Sequence, residues 1–388
     1  ADHLDLKITD RGYIVPILNN LLVSIDAAFA KQFKKPLWSP ELLRSGEFLS
    51  GSSLHFFNVQ GIPDKTFVSK KPTVGDMDTM VNKNLEAELR QFITQNDDGQ
   101  IGPAVLRGFQ RGNEQFSSLW ELQNPPIKIQ IDFEFVEFAG ERPTAWARFS
   151  HSSAWDDLQS GVKGVFHKLL IQAFTALTRK DFYLRKMVGR GNARKEEDVP
   201  TVDNMYSFAV SSKEGGGLRA KYDPVIDAST GKPEIKDGKP VMRAAPTSGY
   251  MQDIGKIFQT VLGKRLDPKK SQELSKNFWS FTGLLGIMNQ LLSPEEKNHV
   301  LQAFLLKVIG PGAQGMYKND PEKDKAEKTT AINHLLNALK INKPNNLDQM
   351  MKDYYAGYKM TSADEEAEKY SEIVKGMAKN ALKEAAPN

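Results

Sequence analysis

The chain has 388 residues, too many for one comfortable hydrophobic core, so two or three domains are expected. Hydrophobic residues make up 40% and charged residues 26%, and a net charge of +4 permits a nucleotide or nucleic-acid partner without requiring one. There is no cysteine, which excludes disulfides, thiolate nucleophiles and cysteine-ligated zinc.

The opening residues, ADHLDLKITDRGY, are polar and lack the apolar centre of a signal peptide. No run approaches 18 apolar residues, so no membrane span is expected, and the expectation is a soluble, cytoplasmic protein. Ile17, Leu18, Leu21, Leu22, Ile25, Phe29 and Phe33 recur at helical spacing, which predicts a helix from Pro16 to Phe33 with Pro16 in its first turn. SPELLR predicts a short helix capped by Ser39. β-Favouring residues then surround a turn at Gly51, Ser52 and Ser53. PTVGDMDTMVN reads as a strand, residues 84 to 95 as a helix, and 96 to 103 as a loop.

A second strand is IKIQIDFEFVEF, where Ile129, Ile131, Phe133 and Phe135 alternate with Gln130, Asp132, Glu134 and Val136. A long amphipathic helix is predicted from Ser153 to Thr178. Residues 179 to 195 are basic, and 211 to 240 hold the turn signals EGGG, STGK and KDGK, which predict one or two hairpins. From Ser248 onward the pattern is helical, with capping boxes at Ser293–Glu296 and Ser362–Glu365. PGAQG at 311 to 315 reads as a helix terminator, and KNDPEKDKAEKTT at 318 to 330 as a solvated linker or helix start.

The chemistry centres on Asp76 and Asp78. Two residues apart on a strand, they project from one face and repel each other, so they favour a proton or a cation. Hard oxygen ligands at this spacing suit Mg²⁺ or Mn²⁺. Asp132 lies on the polar face of its own strand. If the two strands are neighbours, three carboxylates converge and can bridge two metals. The turn at Gly51, Ser52 and Ser53 offers backbone N–H groups and hydroxyls to a terminal phosphate. Lys163 and His167 lie four apart on the predicted helix, with Lys168 beside them.

LSGSS, then VGDMDTMV, then IQIDFEF resembles the polymerase-β-like nucleotidyltransferase superfamily over roughly residues 50 to 178. The resemblance implies that Gly51 and Ser52, with Ser53 as neighbour, hold the triphosphate. It implies that Asp76 and Asp78 bind both metals. Asp132 would complete the site and act on the acceptor hydroxyl, although Glu134 shares its face. A lysine on the following helix touches the triphosphate in some members, and Lys163 has that place. The gap of 25 positions between Gly51 and Asp76 is longer than the family pattern.

The expected fold is an α/β nucleotidyltransferase-like core, a small mixed sheet flanked by helices, followed by a mainly α-helical C-terminal region. The expected division is 1–178 catalytic, 179–247 basic and hairpin-rich, and 248–388 helical. The expected activity moves a nucleoside monophosphate from an NTP to an acceptor hydroxyl with two Mg²⁺ or Mn²⁺ ions. A nucleic-acid acceptor fits Arg179, Lys180, Arg185, Lys186, Arg190 and Arg194, with Phe182 or Tyr183 stacking a base. A protein acceptor, a metal-dependent nuclease and a non-catalytic protein of the same fold are the alternatives.

Overall fold

A computed structural model of the chain describes residues 2, 4–5, 8–51, 53, 73–112, 115–151, 160–178, 181–201, 208–211, 216–244, 249–263 and 266–358. A short strand β1 (Leu4–Asp5) leads into a long helix α1 (Ile8–Phe33). The helix starts at Ile8 rather than Pro16, so Pro16 lies inside it. Contrary to the sequence reading, Ile14–Phe33 is long and apolar enough, by length and composition, to cross a membrane, with a mean hydropathy of 1.4. Its Leu18, Leu21, Leu22, Ile25 and Phe29 are buried in the core beneath the main sheet.

Helix α2 (Pro40–Ser45) forms as the local chemistry predicts. Ser39 Oγ accepts the Leu42 N–H at 3.2 Å, and Gly46 ends the helix in the left-handed conformation at φ 70°. Next come β2 (Leu49–Ser50), β3 (Thr73–Val74), β4 (Asp76–Asn82) and α3 (Glu86–Gln95). Then follow β5 (Gln100–Ile101), β6 (Ala104–Arg111), β7 (Gln115–Leu122) and β8 (Lys128–Val136). Strands β5 to β7 are not among the expected elements, and β5 falls within the loop expected at 96–103. The register between β6 and β7 shifts at Leu106/Gly108, a bulge that breaks the period-two pattern of β6.

These strands form a six-stranded mixed sheet in the order β2-β4-β8-β7-β6-β5. β4 and β8 are parallel; the other pairings are antiparallel. On one face Met77, Val81, Ile129, Ile131, Phe133, Phe116 and Trp120 pack in the same core as α1. The period of two therefore sends Asp76, Asp78, Gln130, Asp132 and Glu134 to the opposite face. There Met80 and Val136 meet Ala147 of α4 (Ala145–His151), which follows the hairpin β9 (Phe138–Ala139) and β10 (Arg142–Pro143).

Of the helix expected from Ser153 to Thr178, residues 153 to 159 lie outside the described residues, and the described part is interrupted before Gly164. Gly161 adopts φ 75°, Lys163 is extended, and α5 runs from Gly164 to Thr175. A five-stranded sheet follows from β11 (Tyr183–Val188) and β12 (Lys195–Pro200), a separate pair β13 (Phe208–Ser211) and β14 (Gly217–Ala220), then β15 (Tyr222–Pro224), β16 (Ile235–Lys236) and β17 (Lys239–Ala244).

The C-terminal region is helical: α6 (Ile254–Leu262), α7 (Pro268–Phe278), α8 (Phe281–Leu291), α9 (Pro294–Ile309), α10 (Pro321–Leu339) and α11 (Leu347–Ala356). The capping box at Ser293 and Glu296 is formed, and α9 stops at Gly310, just before PGAQG. The second predicted box, at Ser362, lies outside the described residues. Phe166, Leu170 and Phe174 of α5 share one core with Phe258, Phe281, Phe304 and Leu335. The segment 318 to 330 is mostly helix α10, and within it Asp324 and Lys328 are buried.

Candidate metal centre

The parallel pairing of β4 and β8 sets Asp78 opposite Asp132 and Asp76 opposite Gln130. One carboxylate oxygen from each of Asp76, Asp78 and Asp132 lies within 4.8 Å of the others. Two oxygens bound to one Mg²⁺ at about 2.1 Å each sit at most about 4.2 Å apart, so a small closure brings all three onto a divalent ion. The donors are hard oxygens with no nitrogen or sulfur among them, which fits Mg²⁺ or Mn²⁺.

Asp132 is 3% exposed. Burial raises its carboxyl pKa, and the charges of Asp76 and Glu134 push the same way. Hydrogen bonds from Gln130 and Ser117 oppose them. Gln130 Nε2 donates to Oδ1 at 2.9 Å and to Oδ2 at 3.1 Å. Ser117 lies opposite Asp132 on β7. These neutral donors fix the carboxylate and leave lone pairs for a cation.

The turn after β2 meets the same place. β2 sets Ser50 opposite Asp78. Gly51 has φ 55°, and a Cβ added there would lie 2.6 Å from Asp78 Oδ2. Only glycine allows this backbone to approach the carboxylate so closely. The Asp78 N–H donates to Ser53 Oγ at 2.7 Å, which ties the turn to β4 from its far side. Ser52 lies outside the described residues. Glu134, the rival third carboxylate, is not part of the three-oxygen group; Ser50 Oγ donates to its Oε2 at 2.9 Å.

Other predicted site residues lie elsewhere. Lys163 precedes α5 instead of riding on it, and its ammonium pairs with Glu327 at 3.1 Å and lies 4.7 Å from the Tyr317 ring centre. Those partners belong to the C-terminal region, so in this structure Lys163 ties the start of α5 to α10. His167 is buried, with Nε2 2.9 Å from the Phe278 carbonyl oxygen.

In the basic segment, Arg185 bonds Asp198 at 2.8 Å and Glu234 at 2.6 Å, so its charge is spent inside the second sheet. Both carboxylates raise its pKa. Lys186, Arg190 and Arg194 are exposed and make no ion pair among the described residues. Arg179 and Lys180 lie outside them. Phe182 is buried, and Tyr183 bonds Asp237 at 2.9 Å, so neither is a free stacking platform.

Sequence reasoning missed three contributors: Ser50, Ser117 and Gln130. Gln130 was legible in principle, since it stands two residues before Asp132 on the same strand face. Ser117 was not, because its strand had not been recognised. Comparison with family models, with curated proteins and with solved structures finds no match for this chain.

Proposed function

We propose that the chain is a metal-dependent nucleotidyltransferase that moves a nucleoside monophosphate from an NTP to an acceptor hydroxyl. The observation that carries this reading is the meeting of Asp76, Asp78 and Asp132 with a glycine turn pressed against Asp78. A carboxylate group alone serves hydrolysis equally well. The Gly51 turn adds a glycine backbone in close approach to Asp78 and the nearby Ser53 hydroxyl, which suits the phosphates of a triphosphate.

In this reading Asp76, Asp78 and Asp132 hold the metal. Bound Mg²⁺ or Mn²⁺ supplies charge neutralisation for the triphosphate and activation of the acceptor hydroxyl. The chain itself aligns the reactants. The acceptor oxygen bonds to the α-phosphorus as the bond to the pyrophosphate oxygen breaks. The hydroxyl proton passes to Asp132, the carboxylate that faces Asp78 across the two parallel strands. Pyrophosphate leaves along the Gly51 turn. Exposed Lys186, Arg190 and Arg194 support an RNA or DNA 3′ end as acceptor.

The test incubates the protein with Mg²⁺ or Mn²⁺, labelled NTPs, and RNA, DNA or the protein itself as acceptor. Label should enter an acceptor, and Asp76→Ala and Asp78→Ala should abolish it while circular dichroism stays unchanged. Labelling that survives Asp76→Ala overturns the site. Degradation of nucleic acid without NTP supports a nuclease instead. Absence of calorimetric NTP–metal binding supports a non-catalytic protein.

A further inference from the structure

Glu134 has the strand parity of Asp132 but stands outside the three-oxygen group. Its carboxylate instead receives the hydroxyl of Ser50, a fully buried side chain. Ser50 immediately precedes Gly51 and is the ladder partner of Asp78. One side chain of β8 thus reaches the strand on the far side of β4 and grips the residue that launches the turn.

We infer that Glu134 is a positioning residue: through Ser50 it fixes the Gly51 turn against Asp78 and so sets the affinity for a metal-bound triphosphate, without ligating the metal. This rests on the nucleotidyltransferase reading above. β2 spans two residues, too few for ladder bonds alone to hold an edge strand in place. A hydrogen bond from a buried hydroxyl to a carboxylate is among the stronger polar contacts. The clearance at Gly51 is small enough that a methyl group would collide with Asp78 Oδ2. A turn released from Glu134 keeps its Ser53 tie to the Asp78 N–H but loses its hold at Ser50, so the backbone at Gly51 shifts against Asp78.

The test separates metal binding from triphosphate binding. Mn²⁺ affinity is measured by electron paramagnetic resonance, and inorganic triphosphate affinity by calorimetry on the Mn²⁺-loaded full chain. Glu134→Ala should weaken triphosphate binding by about tenfold, while Mn²⁺ affinity falls only by the few-fold that loss of a nearby charge brings, far less than in Asp76→Ala. Glu134→Gln keeps an acceptor for Ser50 and should stay near wild type. Ser50→Ala breaks the same bond from the other side, so it covers the case in which Glu134→Ala folds poorly. The double variant should be no weaker than either single one.

Unchanged triphosphate affinity in both alanine variants overturns the inference. So does a loss of Mn²⁺ affinity in Glu134→Gln as large as that in Asp76→Ala, which would make Glu134 a metal ligand. Asp76→Ala serves as the control for the centre. If it loses Mn²⁺ while Glu134→Ala changes nothing, only the positioning role fails. If the wild type binds no Mn²⁺, the metal centre fails and the positioning role with it.

Discussion

Asp78 and Asp132 are direct partners across two parallel strands, and Asp132 is 3% exposed. A sheet gains nothing from two facing carboxylates; like charges opposite each other destabilise the pairing. Asp132→Asn removes the repulsion and keeps the shape. We expect its Mn²⁺ affinity to fall by about 100-fold, consistent with loss of a ligand. In chelator its melting temperature should stay close to wild type, because relief of the repulsion offsets the loss of one of the two bonds from Gln130 Nε2. A melting temperature in chelator lowered by more than the loss of one hydrogen bond would mean that the carboxylate serves the fold instead of a cation.

Gly51→Ala tests the close approach of turn and carboxylate. The residue has φ 55°, where a side chain costs about 1 kcal/mol, and the new Cβ would lie 2.6 Å from Asp78 Oδ2. Asp78 must move, so Mn²⁺ binding should weaken as well as stability. Urea denaturation and Mn²⁺ titration check the two effects separately. A variant that loses stability but binds Mn²⁺ as tightly as wild type would show that the turn does not bear on the centre.

The parts legible in the sequence were those governed by short-range rules. Strand parity put Asp76 and Asp78 on one face, and the clean alternation of β8 placed Asp132 opposite its apolar side. Ser39 and Ser293 announced their helices through capping chemistry alone. The parts that were not legible depended on single backbone irregularities or on contacts distant along the chain. Lys163 looked helical until Gly161, at φ 75°, broke the helix before it. β6 was hidden by its bulge at Leu106/Gly108. Asp324 and Lys328, in a segment that reads as solvated, are buried by Gln314 and Met316 before them and by Tyr354 and Tyr355 after them.

That buried pair yields a stability prediction. Lys328 Nζ lies 3.1 Å from Asp324 Oδ2 and donates to the Gln314 carbonyl and the Tyr354 hydroxyl, each at 2.8 Å. Asp324 also accepts the Met316 N–H at 2.7 Å and the Tyr355 hydroxyl at 2.6 Å. Lys328→Met strands a buried carboxylate and should cost about 3–5 kcal/mol in urea denaturation. Adding Asp324→Leu should recover part of that loss, because no unpaired charge remains. A double variant worse than the sum of the two singles would contradict the electrostatic account.

His167 supplies the pH dependence. Burial lowers its pKa to about 3, the nearby Lys168 charge acts in the same direction, and the bond to the Phe278 carbonyl opposes both. The ring is therefore neutral in the folded chain, with Nε2–H donating to that carbonyl. In the unfolded chain it takes up a proton near its ordinary value of 6.5. The unfolded state binds more protons between those two values, so stability falls as pH drops through this window. From pH 7.5 to pH 5 the loss from this group alone is about 2 kcal/mol. His167→Gln keeps a donor for Phe278 and cannot titrate. Its urea midpoint should be lower than wild type at pH 7.5 but should fall less on acidification to pH 5. Equal acid sensitivity in the two proteins would assign the pH dependence to other groups.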